Sequence, residues 1–138
     1  MKTFEPFSLQ PIGVIRSEIK DRKDAPRFYN EGAPDAFLEF EPAYTAGLDR
    51  MRAGDEIIVI TWLHQAHRDV LKVHPRGNKS NPLTGVFSTR SPDRPNPLGL
   101  HRVKVLEIKA GRLHIGPIEA IDGTPVVDIK PVVEVADY

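Results

Sequence analysis

A mainly β, small single-domain barrel with one short helix, spanning residues 1–138, is the fold class this sequence predicts. Three observations predict it. Short runs rich in Val, Ile, Leu and Phe recur along the chain, separated by Gly, Pro, Asn and Asp turn signals. One stretch alone has helical spacing. No G-x-G-x-x-G opens a helix, which disfavours a dinucleotide-type doubly wound sheet. A chain of 138 residues suits one domain and can bury about two-thirds of its unfolded surface.

Residues 9–16 read as a strand through Ile12, Val14 and Ile15. Residues 17–34 are polar, with Pro26, Gly32 and Pro34, a length of connection that is usually functional. Residues 36–41 alternate Phe37, Glu39 and Glu41 against Leu38 and Phe40, the pattern of a half-buried strand. Pro42 suits the first turn of a helix, Tyr44, Leu48 and Met51 make one apolar stripe, and Gly54 closes it. Residues 55–64 contain IIVITWL, apolar on both faces, and end in His64-Gln65.

Residues 69–81 are irregular and basic, with His74-Pro75 and Arg76-Gly77-Asn78-Lys79. The most unusual stretch follows, LTGVFSTRSPDRPNPLGL at residues 83–100. Val86, Phe87 and Thr89 predict a short strand that ends at Arg90. Ser91, Arg94 and Asn96 each precede a proline, so most of this loop is held extended. Gly99 then allows a backbone conformation closed to other residues. A stiff loop of this kind presents fixed donors to a ligand, or else it is a rigid turn with solvated arginines.

In residues 100–108, Val103 and Val105 share one face while Leu106 and Ile108 take the other. Either both faces are covered or a bulge shifts the register. Ala110-Gly111-Arg112 predicts a hairpin turn into Leu113-His114-Ile115. Residues 119–123 form a turn into a last strand at 125–130.

Formal net charge is zero, which by itself argues against a strong nucleic-acid binder. The distribution differs: residues 64–104 hold eight Lys/Arg against two Asp, so this segment is +6 and the remainder −6. That suits a limited anionic partner such as a short RNA loop, or charged edges kept for solubility. With no cysteine there is no thiolate chemistry or disulfide framework. His64, His67, His74 and His101 lack paired-ligand spacing, so no metal is expected. MKTFEPFSL has no signal-peptide apolar region, and no apolar run reaches transmembrane length, so a cytoplasmic protein without membrane contact is expected.

The stretch TGVFSTRSPDRPNPLGL closely resembles the signature of the TrmO family of tRNA methyltransferases. IGVIRS at 12–17, Pro26-Arg27, His64-Gln65 and DGTPVVDIKP at 122–131 extend the resemblance over most of the chain. It implies a small β-barrel homodimer that uses S-adenosyl-L-methionine to methylate N6 of threonylcarbamoyladenosine beside the tRNA anticodon. It places cofactor contacts at Pro26, Arg27, Phe28, His64, Gln65, Arg90, Leu100, Glu119, Ala120, Ile121 and Asp122. Phe28 departs from the polar residue the family pattern carries there. Family members with a C-terminal extension use it near the tRNA, whereas this sequence ends at Tyr138.

Side-chain chemistry assigns Arg90 to a carboxylate, and a carboxylate of Glu119 or Asp122 to a ribose hydroxyl or an amine. Arg76, Lys79, Arg94 and Arg102 are candidate RNA contacts. The acceptor nitrogen is acylated and a poor nucleophile, so a base is called for, and His64, His67, His101 and Asp122 qualify by type without the sequence choosing among them. Three other readings stand beside this one: a module that binds the cofactor without methylating RNA, a methyltransferase acting on another small substrate, and a structural barrel.

Overall fold

The computed structural model describes residues 3–28 and 30–134. Among the described residues there are eight strands: β1 Gly13–Arg16, β2 Ala36–Phe40, β3 Glu56–Trp62, β4 Lys72–Val73, β5 Thr84–Gly85, β6 Leu98–Lys109, β7 Arg112–Gly116 and β8 Pro125–Pro131. Six of them close a barrel in the order β1-β2-β7-β6-β3-β8, with every pairing antiparallel. The remaining two, β4 and β5, pair with each other outside it.

This topology decides where the connections go. β1 and β3 both run antiparallel to β8, so their C-terminal ends share one rim. β2, β6 and β8 begin at that rim and β7 ends there. The three long connections, residues 17–35, 63–97 and 117–124, therefore all cap the same end. The far end carries residues 41–55 and a two-residue hairpin, where Ala110 and Gly111 both have positive φ, 49° and 76°. That is the geometry a tight hairpin between twisted strands requires.

Alternation builds the core. Ile15, Leu38, Ile57, Val59, Val103, Val105, Leu113, Ile115 and Val126 point inward and are buried, joined by Ile118 from the rim. Each such side chain contributes about 1.5–3 kcal/mol of apolar burial. The two-face pattern of the long strand is resolved by a bulge: β6 shifts register on β7 between Val105 and Glu107. Leu106 is thereby left outside, and Ile108 returns to pack on the core. On β3 only Ile57, Val59 and Thr61 are enclosed, while Ile58, Ile60 and Trp62 on the outer face are half-buried.

Three local expectations need correction. The first strand starts at Gly13 rather than residue 9, since Pro11 has no N–H to give a ladder. The helical segment is a 3-10 helix over Pro42–Leu48, and it stops before Met51. Gly47 weakens an α-helix there, and Arg50 turns the chain with φ 71°. Leu48 and Met51 still reach the core, while Tyr44 is exposed. Val86–Ser88 is a 3-10 turn and not a strand. The Val86 carbonyl accepts from the Thr89 amide and from the Arg94 side chain in place of a ladder partner.

Candidate functional site

The rim brings together residues that are far apart in sequence. Of the eleven predicted cofactor contacts, ten lie on the three rim connections, and Leu100 is the third residue of β6 below them. The connections are tied to one another. The Asp122 amide donates to the Ile19 carbonyl at 2.7 Å, and the Ser17 amide donates to Asp122 Oδ1 at 3.0 Å. The Ile118 amide donates to the Pro34 carbonyl at 2.9 Å.

Arg22, which sequence reasoning missed, joins the first and second connections. It donates to Asp93 Oδ2 at 2.7 Å and to the Gln65 carbonyl at 3.4 Å. Asp93 Oδ1 accepts from the His67 amide at 2.8 Å. Arg68, also missed, donates to the Pro95 carbonyl and to Asn96 Oδ1 while its guanidinium lies 5.0 Å over the Trp62 ring. Nothing local in sequence marks Arg22 or Arg68, because their partners are 43 and 71 positions away for the first and 27–28 for the second.

The predicted residues divide into groups. Arg27 and Phe28 dock on the turn at residues 75–77, and Pro26 precedes them, half-buried. Arg76 donates to Glu31 and lies 5.2 Å over Phe28, and the Arg27 guanidinium lies against Gly77. Arg90 is exposed and has no hydrogen bond or ion pair among the described residues. Leu100 projects outward and is 50% exposed. Asp122 has both oxygens engaged, one by Ser17 and the other by Lys20. His101 is buried inside the barrel, between Thr61 and Glu119. His64 and His67 are exposed on the rim.

Among the candidate RNA contacts, Lys79 is exposed, and Arg76 is paired with Glu31. Arg94 points inward and donates to three backbone carbonyls of its own loop. Arg102 lies on the outer wall of β6, paired with Glu56 and away from the rim. No cluster of three metal-ligating side chains occurs among the described residues. A separate open groove of about 520 Å³ runs along the outer wall past Arg16, Lys20, Phe37 and Arg112, and shares only Asp122 with the predicted set.

Gly99 is needed for space rather than for an unusual φ, which corrects the sequence expectation. A Cβ there would stand 2.5 Å from Thr61 Oγ1 and 2.8 Å from His101 Nε2, with Leu63 at 3.0 Å. Gly99→Ala is expected to cost about 1–3 kcal/mol through overpacking. Chemical denaturation reads this directly, and an unchanged midpoint would mean that the Thr61–His101 pair yields freely.

Asp93 supplies a pH test of the rim. Burial raises its carboxyl, but the Arg22 hydrogen bond, the His67 amide and the charges of Arg22 and His67 outweigh this and hold it below its ordinary 3.8. The folded value is depressed, so its stabilisation is complete above 3.8 and is lost as pH falls through the lower folded value. Unfolding followed from pH 7 down to about 2 should show a shallower acid loss for Asp93→Asn than for the parent. Identical acid limbs would count against the Arg22–Asp93 tie.

A family model described as the tRNA-methyltransferase O N-terminal domain matches residues 14–138. A probable S-adenosyl-L-methionine-binding protein of Pyrococcus horikoshii is 44% identical over 131 residues, covering 92% of this chain and 83% of that protein. An S-adenosyl-L-methionine-binding protein of Archaeoglobus fulgidus is 42% identical over 122 residues, covering 88% of this chain and 86% of that protein. The crystal structure of TrmO from Pseudomonas aeruginosa superposes with a TM-score of 0.74 at 31% identity, over 96% of this chain. This chain spans 59% of the length of that one.

Proposed function

This chain belongs to the tRNA-methyltransferase O N-terminal domain family, and on that premise we propose that it binds S-adenosyl-L-methionine at the barrel rim and methylates N6 of threonylcarbamoyladenosine beside a tRNA anticodon. The observation that carries the reading is the convergence of three sequence-distant connections, with the predicted contact residues on them, at one end of the barrel.

The residues present fit such a cofactor. Arg90 offers a planar fork for a carboxylate and has no partner among the described residues. Glu119 Oε2 is a buried acceptor with no partner among them. Leu100 supplies exposed apolar surface for a base. When bound, the cofactor supplies an electrophilic methyl group on a sulfonium. The protein's part is to align donor and acceptor, and the cross-ties through Arg22, Asp93 and Asp122 give the rim the rigidity this needs. His101 cannot take a proton from the acceptor nitrogen, since both its ring nitrogens are engaged inside the barrel. Asp122 is similarly occupied. His64 and His67 are the rim imidazoles open to that role.

The names of the two archaeal relatives favour a second reading, a module that binds the cofactor without acting on RNA. One experiment separates the two. Calorimetric titration with S-adenosyl-L-methionine after chelation, followed by mass spectrometry of tRNA nucleosides from a deletion strain, should show binding and loss of the N6-methylated nucleoside. Binding with an unchanged nucleoside profile selects the module. The absence of both heat and competition by S-adenosylhomocysteine rejects either reading.

The working unit we propose is a cytoplasmic homodimer, in which a two-fold axis would double the small basic surface for one tRNA anticodon loop. Light scattering at micromolar concentration should give twice the chain mass, and a monomer would reject it.

A further inference from the structure

Neither the core nor the cofactor reading uses Phe87. It is 82% exposed at the centre of the 3-10 turn Val86–Ser88, on the second rim connection. No aromatic or cation contact involves its ring among the described residues. A phenylalanine carries about 150–250 Å² of surface, and most of it here is left in water.

The backbone under this ring is fixed. Val86 is buried, and its amide donates to the Leu71 carbonyl at 2.9 Å. Its carbonyl accepts from the Thr89 amide, the Thr89 hydroxyl and the Arg94 guanidinium. A ring carried on such a base has only its two side-chain torsions to order when a partner arrives, so little entropy opposes contact.

The surrounding charge selects the partner. Residues 70–90 hold Lys72, Arg76, Lys79 and Arg90 and no Asp or Glu. Of these four, only Arg76 has an ion-pair partner among the described residues, Glu31. A bare aromatic face on a cationic connection suits single-stranded RNA, whose base stacks on the ring while neighbouring phosphates meet the cations. An apolar protein surface laid over the same connection would desolvate those charges without pairing them. Phe4 and Phe7 are also exposed, but they precede β1, which starts at the far end of the barrel. Leu71 and Leu83 are exposed on the same excursion and offer bulk without a π face.

We propose that Phe87 is a stacking platform for one unpaired base of the RNA loop brought to the rim. The inference rests on the reading of this chain as a tRNA methyltransferase. Stacking fixes how the loop lies on the rim. The base is taken by its place in the loop more than by its identity, since every base has a π face. The contact adds affinity without adding to the salt dependence that phosphate contacts bring.

The test is binding of an anticodon stem-loop carrying threonylcarbamoyladenosine to the full chain saturated with S-adenosylhomocysteine. Phe87→Ala should weaken this RNA by about five- to hundredfold. Its salt slope, its S-adenosylhomocysteine affinity and its melting temperature should match the parent's. Phe87→Trp keeps a π face and should retain the RNA affinity. Phe87→Leu keeps apolar bulk alone and should resemble Phe87→Ala. Stem-loops with the base removed at each unpaired position in turn locate the contact. At one position, removal should weaken the parent about as much as Phe87→Ala does, and should cost that variant little more.

No stem-loop binding by the parent overturns the RNA reading, and this inference with it. Binding by the parent with Phe87→Ala unchanged overturns the inference and leaves that reading standing. Full affinity in Phe87→Leu does the same, because the contact is then apolar packing and not stacking. A Phe87→Ala chain with half the parent's mass by light scattering also overturns it, since the ring then packs on a second copy. Losses that simply add at every loop position overturn it as well.

Discussion

Arg94→Ala is expected to destabilise the protein by about 2–4 kcal/mol and to lower its melting temperature by on the order of 10 °C. Arg94 is an unusual arginine for an exposed-looking, proline-rich loop. Its Nε donates to the Ser91 carbonyl at 2.8 Å, and its Nη2 donates to the Val86 and Thr89 carbonyls at 2.8 and 2.6 Å. The prolines at 92, 95 and 97 lack amide hydrogens, so this part of the loop has few backbone donors for its own carbonyls. A guanidinium folded back onto the chain supplies them. Its charge makes each bond stronger than a neutral one, at about 1.5–3 kcal/mol, although three bonds from one side chain do not add.

The carbonyls it holds flank Arg90 on both sides, so loss of Arg94 should also weaken cofactor binding without removing a contact. Arg94→Lys should recover little, since an ammonium on a flexible stem does not span three carbonyls with a planar fork. Thermal unfolding and cofactor titration of both variants check this. A melting temperature within a degree or two of the parent would mean that the loop is held by its prolines alone.

The same side chain shows what the sequence makes legible and what it hides. The strands were readable because inward positions alternate with period two, and even the departure at Leu106 announced itself as a broken alternation. The rim was readable through the unusual TGVFSTRSPDRPNPLGL stretch and the shorter matches at Pro26-Arg27, His64-Gln65 and residues 122–131, which marked positions along the chain but not the direction of each side chain. Arg90 and Arg94 look equivalent in sequence, yet one faces solvent and the other turns inward. The choice depends on which carbonyls lack donors, a property of the folded loop.

His101 was similarly hidden. By residue type it qualified as a base, and only the pairing of β6 with β3 places it opposite Val59, inside the barrel and within reach of Thr61. The 3-10 turn at Val86–Ser88 was missed because β-prone residues outvoted the local hydrogen bonds that Thr89 and Arg94 make to Val86.

Arg90→Ala is expected to weaken S-adenosyl-L-methionine binding by about ten- to hundredfold, the loss of a charge-assisted pair worth about 1.5–3 kcal/mol. The structure gives this residue an anchored backbone and a side chain without a partner among the described residues. The Ser91 amide donates to Thr89 Oγ1 at 3.2 Å, the Thr89 hydroxyl donates to the Val86 carbonyl at 3.0 Å, and Arg94 holds the carbonyls on either side. A guanidinium carried on such a base loses little backbone entropy when it closes on a carboxylate. Arg90→Lys should restore little of the affinity, because the planar fork is gone.

The contrasting variant is Lys79→Ala. Lys79 is exposed in the basic connection, and its loss should leave cofactor affinity unchanged while reducing the salt slope of tRNA binding by about one. Arg76 is a poorer control, since its pairing with Glu31 and its packing on Phe28 tie it to the connection that carries Pro26 and Arg27. Cofactor and tRNA affinities of the parent, Arg90→Ala, Arg90→Lys and Lys79→Ala at two salt concentrations make the comparison. If Arg90→Ala binds the cofactor as the parent does and loses only tRNA, Arg90 contacts RNA, and the carboxylate of the cofactor is held by another group.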